Sequence, residues 1–320
     1  MEISVVAASR EDDSAPAEAL RVAAVADRLG YPEVWLGEGP TWDSFVLGAA
    51  VGLGTERIAV TAGPVAVSVR DPLTIVRGAA SAEAVIGRPV GVALGASSVR
   101  VVEGVHGRSR ARVATVLAEC SARVRELFDH QRGGPGGEVV PGGGFRQRLA
   151  GPTGPLTVAA FGDRAIAVAA RYADRMVLDL VSPEQVRGLR AKLDAAASQA
   201  NRRAPTLAAW LPAAVDPTAE SYDQILGSVA GYLTVRGYRE VFLESGLHDA
   251  VRLADEGAPR AELLAALPRW AVETVGLVGD VEAVRARIRA YSEAGLDEIA
   301  LVPATEGDPD GRRTLGALAP

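Results

Sequence analysis

The fold of this chain is set by the sequence ADRLGYPEVWLGE at residues 26–38 and by TERIAVTAGPVAVSVRDPLTIV at residues 55–76. In the first, an apolar-striped helix stops at Gly30, a residue that readily adopts the positive φ of a helix C-cap, and a short apolar strand follows. In the second, a β-branched strand precedes Asp71 and Pro72, which supply the N-cap and the first residue of a new helix. Such strand and helix units, joined by short turns, predict an α/β barrel.

Apolar runs typical of strands buried on both faces recur along the chain, and most are followed by a helical pattern. The third of them is expected to end at Gly63 and Pro64. Eight β/α units in about this length predict a TIM (β/α)8 barrel. The eight runs are residues 3–8, 34–36, 58–61, 90–94, 156–160, 176–180, 207–211 and 298–302.

The pattern predicts one domain, residues 1–320, with two insertions on the rim of the barrel, at about 131–155 and 221–270. Neither insertion is expected to have a core of its own. Two helix-to-strand junctions resemble each other, GYPEV at residues 30–34 and GLDEI at 295–299, which supports repeated units. A third copy, GYREV at 237–241, is compatible with a short strand or with an inserted helix.

Composition excludes several classes of function. The 320 residues carry a net charge of −6, which argues against a nucleic-acid surface, whose usual mark is a basic patch. Cys120 is the only cysteine, so no disulfide framework or cysteine-built zinc site is expected. We expect no metal site of any kind, because carboxylates and histidines lack ligand spacing. Without a long apolar run or a signal segment, we expect a cytoplasmic protein with no membrane partner.

The motifs together resemble the bacterial luciferase-like superfamily of flavin and deazaflavin oxidoreductases, and within it the branch that uses coenzyme F420. The resemblance covers nearly the whole chain. It rests on residues 26–38 and 55–97, on VVEGVHGRS at 101–109, on LTVAAFGDRAIAVAARYADRMVLDL at 156–180, and on ETVGLVGDVEAVRARIRAYSEAGLDEIALVP at 273–303.

The resemblance implies that a flat deazaflavin lies in the barrel mouth, with its phosphate tail near strand five. Small residues at the end of strand four would let a ring rest on the backbone, although a tight turn needs the same residues. At strand five, free N–H groups at a helix start would favour phosphate, whereas the carboxylate of Asp163 would disfavour it. The implied cofactor-binding residues are Glu38, Gly39, Ala62, Gly63, Pro64, Gly95, Ala96, Ser97, Ser98, Phe161, Gly162, Asp163 and Arg164.

Members of this superfamily often hold a non-prolyl cis peptide at the end of strand three. In this chain that place falls on Ala62, Gly63 and Pro64. A cis bond at Gly63-Pro64 would cost under about 1 kcal/mol, against roughly 3 kcal/mol for a non-prolyl bond. An ordinary trans turn is the alternative.

The chain departs from the sugar-phosphate dehydrogenases of this group at the catalytic positions. Those enzymes place a His base and a Trp after strand two and a Glu after strand four, where this chain has Glu38-Gly39 with Trp42, and Ser98. Glu38 and Trp42 are therefore the catalytic candidates: Glu38 as a proton donor or as a group that orients the backbone or cofactor, and Trp42 as a substrate platform or a cap on the barrel. The three histidines, His106, His130 and His248, are expected in rim loops or at a helix end.

The leading hypothesis is an F420-dependent oxidoreductase that transfers hydride between the deazaflavin C5 and a small organic substrate, with reduction of a C=C or C=N bond favoured. The first alternative is an FMN-dependent two-component monooxygenase. The second is a non-catalytic flavin-binding barrel. The resemblance also implies a homodimer.

Overall fold

The computed structural model describes residues 1–8, 15–39, 41–129, 136–142, 148–235 and 237–320. Parallel strands in these ranges close into a barrel in the order β1-β2-β3-β4-β5-β6-β7-β9, and β9 returns to β1. The short strand β8 extends the sheet beyond β7. The strands are β1 (Glu2–Ala8), β2 (Glu33–Leu36), β3 (Ala59–Ala66), β4 (Val90–Gly95), β5 (Leu156–Ala159), β6 (Arg175–Asp179), β7 (Thr206–Val215), β8 (Leu277–Gly279) and β9 (Glu298–Pro303).

Helices alternate with these strands and surround the barrel, so the predicted TIM barrel is confirmed. A π-helical segment, Arg100–Val105, and a 3-10 turn, Pro309–Gly311, lie between the longer elements. The α-helices are α1 (Pro16–Leu29), α2 (Ser44–Leu53), α3 (Pro72–Ile86), α4 (Val113–Phe128), α5 (Asp163–Tyr172), α6 (Pro183–Gln199), α7 (Ala219–Tyr232), α8 (Tyr238–Glu244), α9 (His248–Asp255), α10 (Arg260–Ala266), α11 (Trp270–Val275), α12 (Val281–Glu293) and α13 (Arg312–Ala317). Within the described ranges, no helix combines the length and apolar character needed to cross a membrane.

The local signals behave as the sequence predicts, with two exceptions. Gly30 caps α1 at φ +88°, and the Asp71 carboxylate accepts the Thr74 N–H at the start of α3. The predicted end of β3 is wrong, because the strand runs on to Ala66 through a cis Gly63-Pro64 bond and a shift of register against β4. The other exception is β8, three residues long and too short to stand out in the sequence.

The lower interior of the barrel is charged. Arg175, the first residue of β6, donates to Glu33 through both terminal nitrogens, at 2.7 and 2.8 Å, and to Glu298 at 2.7 Å. Its guanidinium group also lies 4.0 Å from the centroid of the Trp35 ring. Ser4 and the Trp35 Nε1–H donate to the other oxygen of Glu298, at 2.5 and 3.2 Å. Each buried charge is therefore paired and hydrogen-bonded, the condition under which the interior tolerates it.

This cluster explains why two junctions in the sequence resemble each other. Glu33 and Glu298 are the first residues of β2 and β9, and both reach the same arginine. The third copy has a different origin, since its Glu240 lies in α8 and accepts the N–H of Gly237 at the start of that helix. Of the two conformations left open for it, the helix is the observed one.

The second insertion is a group of helices, α7 to α11, that packs on β7, on β8 and on the residues that follow β6 and β9. It encloses a cluster of buried apolar side chains separate from the main core, so the expectation that it lacks a core is wrong. Barrel residues Leu180, Ala214 and Ala304 complete that cluster, which ties the insertion to the rim. The division into one domain stays a prediction. The first insertion lies partly outside the described residues.

The Arg175 cluster yields a prediction about stability. Replacing Arg175 with Met leaves two buried carboxylates without a cationic partner, and such a loss costs about 3 to 5 kcal/mol in the free energy of unfolding. Urea denaturation measures it. The triple variant with Glu33→Gln and Glu298→Gln removes both charges and should recover most of the loss. A single variant within about 1 kcal/mol of wild type would contradict this account.

Candidate active site

The mouth of the barrel lies at the carboxyl ends of the strands, and its floor is made of small and aromatic side chains. Every second residue of a barrel strand faces inward. On β6 these residues are Arg175 in the charged cluster, Val177 above it and Asp179 at the mouth. In the top layer, Ala159 and Trp210 pack partly buried on the layer below. Gly95 joins them, since a Cβ built there would lie 3.8 Å from that of Ala159.

Glu38, the first catalytic candidate, is committed to an ion pair at the end of β2. Arg70 donates to it through Nε and a terminal nitrogen, both at 2.7 Å, and Ser44 donates at 2.9 Å. Such bidentate pairs are among the strongest charge-assisted hydrogen bonds. Donation of a proton by Glu38 would require loss of this pair, so the geometry favours the orienting role over the acid role.

Arg70 also anchors α2. Its terminal nitrogen lies 2.6 Å from Asp43, whose other oxygen caps the helix by accepting the N–H groups of Phe45 and Val46. Burial raises the pKa of Asp43, but the hydrogen bond from Arg70 and the backbone bonds outweigh it, so the pKa lies below its ordinary value. Arg70 lies in the loop before α3 and joins the ends of β2 and β3.

Trp42, the second catalytic candidate, stands on the rim with 42% of its surface exposed. It directly precedes the Asp43 cap, so the Arg70 network fixes the backbone that carries it. Gly39 is half-buried next to Glu38. The structure therefore brings these residues to one side of the mouth.

The residues of strands three and four that were predicted to bind the cofactor lie on two different sides of the sheet. The side chain of Ala62 packs in the outer core between sheet and helices, so only its backbone is available to the mouth. Gly63 has φ +111°, and a Cβ there would collide with the Ala93 carbonyl, so the position requires glycine. A Cβ on Gly95 would lie 3.1 Å from that of Pro64, which places these two residues side by side.

Ala96, Ser97 and Ser98 form the half-buried loop that follows β4. Ser97 has φ +55°, and its carbonyl accepts Arg110 Nε–H at 3.0 Å. The Ser98 hydroxyl accepts the N–H of Val101 at 3.2 Å and so begins the π-helical segment. Both serines have local structural partners, which is the turn role that the sequence left open.

At strand five, the start of α5 is open. Gly162 is its N-cap and offers no side-chain cap, while Asp163 is the first helical residue and is ion-paired with Lys192 at 2.9 Å. The charge of Asp163 is thus partly balanced. Arg164 is exposed beside it. Phe161 points toward the insertion, where its ring centroid lies 4.7 Å from that of Tyr238.

Asp179 is the functional candidate that sequence reasoning missed. It ends β6 deep in the mouth, and its carboxylate accepts the Tyr238 hydroxyl at 3.3 Å. Burial raises its pKa to about 7, against smaller lowering effects of the Tyr238 and Leu180 hydrogen bonds. The sequence did contain a signal for it, because Asp179 is the one acid in MVLDL at residues 176–180. It lies two residues after Val177 and four after Arg175, so it faces the same side of the strand as they do.

Neither of the two histidines that the structure describes lies at the floor of the mouth. His106 is exposed at the end of the π-helical segment and His248 begins α9 on the insertion, while His130 lies outside the described residues. Across the described ranges, no group of three His, Cys, Asp or Glu residues could hold a metal ion. Cys120 is buried in α4, and burial raises its pKa to about 12.

The geometry is that of a (β/α)8 protein with an open, small-residue mouth beside an uncapped helix start. The family model described as luciferase-like monooxygenase matches residues 1–298, and the chain belongs to this family. Members of the family are oxidoreductases and monooxygenases. No curated protein matches the sequence.

Solved structures share the fold at low identity. The coenzyme F420-dependent tetrahydromethanopterin reductase of Methanopyrus kandleri is 16% identical, with a TM-score of 0.79 over 100% of this chain and 98% of that one. An F420-dependent secondary alcohol dehydrogenase, in complex with an F420-acetone adduct, is 17% identical, with a TM-score of 0.79 over 99% and 98%. The oxygenating constituent of 3,6-diketocamphane monooxygenase from Pseudomonas putida, in complex with FMN, is 16% identical, with a TM-score of 0.69 over 100% and 96%.

The Glu38–Arg70 pair yields a second prediction. A double-mutant cycle with Glu38→Gln and Arg70→Gln should give a coupling of about 1 to 2 kcal/mol in the free energy of unfolding, because the pair is bidentate and largely buried. The exposed pair Arg112–Glu138 is the matched control and should give a smaller coupling. Equal couplings in the two cycles would contradict the anchoring role.

Proposed function

We propose that this protein is an F420-dependent oxidoreductase that transfers hydride between the deazaflavin C5 and a small organic substrate, most favourably in the reduction of a C=C or C=N bond. When bound, the cofactor supplies the hydride chemistry, and the protein supplies position and electrostatics. The observation that carries the proposal is the flat, small-residue floor of the mouth next to the uncapped start of α5.

The floor fits a flat ring system. Gly95 and Ala159 adjoin on neighbouring strands, and Pro64 lies against Gly95, so these three adjacent positions carry only small side chains. On the far side of the barrel, the Trp210 Nε1–H is buried and has no partner within the described part of the chain. An unpaired buried donor is costly, so a ligand that accepts this hydrogen bond would be favoured.

The start of α5 fits the phosphate of such a cofactor. Its first N–H groups have no side-chain cap at Gly162, and the positive end of the helix dipole favours an anion. Lys192 draws the Asp163 carboxylate into an ion pair, which reduces the repulsion expected from the sequence. Arg164 is exposed beside this helix start and is free to approach a phosphate.

In this scheme the residues around Glu38 hold the mouth in shape. The Arg70 network fixes the ends of β2 and β3 and the start of α2, and so fixes Gly39 and the rim that carries Trp42. Trp42 is the proposed substrate platform. The homodimer implied by the resemblance stays a proposal, which sedimentation equilibrium would test.

What supports F420 over FMN is the closer fit of the two F420-dependent enzymes, with TM-scores of 0.79 against 0.69 for the FMN-bound monooxygenase. The discriminating experiment is a titration of the purified protein with oxidised F420 and, separately, with FMN, followed by tryptophan fluorescence. Trp210 in the floor and Trp35 beneath it should report binding. We expect F420 to bind with a Kd of about 1 μM or lower and FMN at least tenfold more weakly.

The reverse preference would contradict the proposal and favour a monooxygenase. Failure of both ligands to bind would also contradict it.

A graded series at Gly95 tests whether the ring lies on this floor. Gly95→Ala should weaken F420 binding modestly, and Gly95→Val should weaken it by about tenfold or more, because the larger side chain occupies the ring position. Gly104→Val is the control, since that rim glycine has open space around it. Thermal unfolding of each variant separates a lost site from a lost fold. Unchanged F420 affinity in folded Gly95→Val would place the cofactor elsewhere.

A further inference from the structure

We propose that Asp179 is the proton donor of the mouth, and that Tyr238, which reaches it from the helical insertion, orients its carboxyl group. The inference rests on the proposed function, because a reduced C=C or C=N bond needs one proton for each hydride. It also gives Asp179 the proton-donor role, which the sequence had offered as one of two possible roles for Glu38.

The position of Asp179 is the first argument. It is the last residue of β6, and it faces inward like Arg175 and Val177 on the same strand. In the closed barrel, β6 lies opposite β2, so Asp179 and Glu38 stand on opposite sides of the mouth. Part of the surface of Asp179 remains accessible from above. A substrate on the ring would therefore lie between the two carboxyl groups.

The second argument is the absence of a charge partner. Within the described part of the chain, which omits residue 236, no arginine or lysine is ion-paired with Asp179. Tyr238 from the insertion contacts it, and Trp210 lies beside it in register on β7. Phe161 and Tyr232 pack on the ring of Tyr238. Glu38, in contrast, is clamped by Arg70. Only the unpaired carboxyl group can take up and release a proton without breaking an ion pair.

The third argument is the way in which Tyr238 is held. Its ring lies between Phe161, at 4.7 Å between centroids, and Tyr232, at 4.6 Å. These contacts restrict the ring, so its hydroxyl is aimed at Oδ2 of Asp179 by packing from two elements. The insertion therefore contributes a side chain to the site.

Trp210 adds a donor at the same edge. It pairs in register with Asp179 on the neighbouring strand, and its ring meets Trp35 edge-on at 5.8 Å. Its unpaired Nε1–H is the group that would hold an acceptor atom of cofactor or substrate beside the acid.

The step balances in atoms and electrons. A hydride carries two electrons to one atom of the C=C or C=N bond, which oxidises the deazaflavin and breaks the π bond. The O–H bond of Asp179 breaks, and its proton forms the new C–H or N–H bond at the other atom. The carboxylate that remains recovers a proton from water.

The first test uses the protein without cofactor. Infrared difference spectra between pH 5 and 9 should show a carboxyl C=O band that disappears near pH 7 and is missing from Asp179→Asn. Since the Tyr238 hydroxyl stabilises the carboxylate, Tyr238→Phe should move the transition to higher pH. A wild-type protein without a titrating carboxyl band in this range would overturn the proposal, whatever cofactor the protein uses.

Stability against pH gives an independent check of the same group. A folded-state pKa above the unfolded value means that the folded state binds more protons between about pH 4 and 7, so Asp179 makes the protein less stable as pH rises through that window. Asp179→Asn should therefore melt above wild type at pH 8, and the difference should vanish near pH 4. The exposed Asp223→Asn variant is the control and should show no such trend. A pH-independent difference for Asp179→Asn would contradict the inference.

The last test uses the protein loaded with reduced F420 and an imine or enone that it turns over. Asp179→Asn should lower kcat by about 100-fold or more while the Kd for F420 stays within about threefold of wild type. Glu38→Gln should lower kcat less. Full turnover by Asp179→Asn, or a greater loss in Glu38→Gln, would overturn the assignment. Failure of F420 to bind would defeat the proposed function but leave the infrared result to decide on Asp179.

Discussion

The structure depends on one interaction, the contact of buried Arg175 with Glu33 and Glu298 in the lower half of the barrel. The guanidinium group joins strands that are far apart in sequence, and it supports Trp35, on which the edge of Trp210 rests. The interior is thus filled from below by charge and aromatic rings. Because the barrel is already filled at this level, the upper layer can combine the small residues Gly95 and Ala159 with Trp210 and remain open.

The two carboxyl groups of the mouth show how environment assigns different roles to similar side chains. Glu38 has a guanidinium partner that comes from the loop after β3, so it serves as a fixed anchor. Among the described residues, the side-chain partner of Asp179 is a neutral hydroxyl, and burial raises its pKa toward neutrality. One group keeps the mouth in shape, and the other is suited to proton transfer at neutral pH. The inserted helices matter to this division because they supply the hydroxyl.

Much of the fold was readable from the sequence, because the signals were local. Gly30 and the Asp71–Pro72 pair mark helix ends by their own backbone preferences, and the eight barrel strands show as continuous apolar runs. The acids at the starts of β2 and β9 were noticed, but their shared partner was not, since Arg175 is more than a hundred residues from each. The end of β3 was misplaced because glycine and proline usually end a strand, whereas this strand continues through Gly63-Pro64 to Ala66.

The candidate site was readable only in part, for the same reason. Small residues after β4 and the helix start at Gly162 were predicted from their own sequence. The state of Glu38 depends on Arg70, 32 residues away, and that of Asp179 depends on Tyr238, 59 residues away. The apolar core of the insertion was missed because its helices are short and their apolar residues are shared among five elements. Contacts between segments that are distant in the sequence decide the chemistry of these side chains. The apolar periodicity of the sequence does not predict such contacts.

The most direct test of the account is a crystal structure of the protein with oxidised F420. The account predicts the deazaflavin ring on the floor formed by Gly95 and Ala159, the phosphate at the start of α5, and the C5 face turned toward the space between Trp42 and Asp179. A ring bound outside the mouth, or a ring whose C5 is shielded from Asp179 by protein, would contradict the central claim.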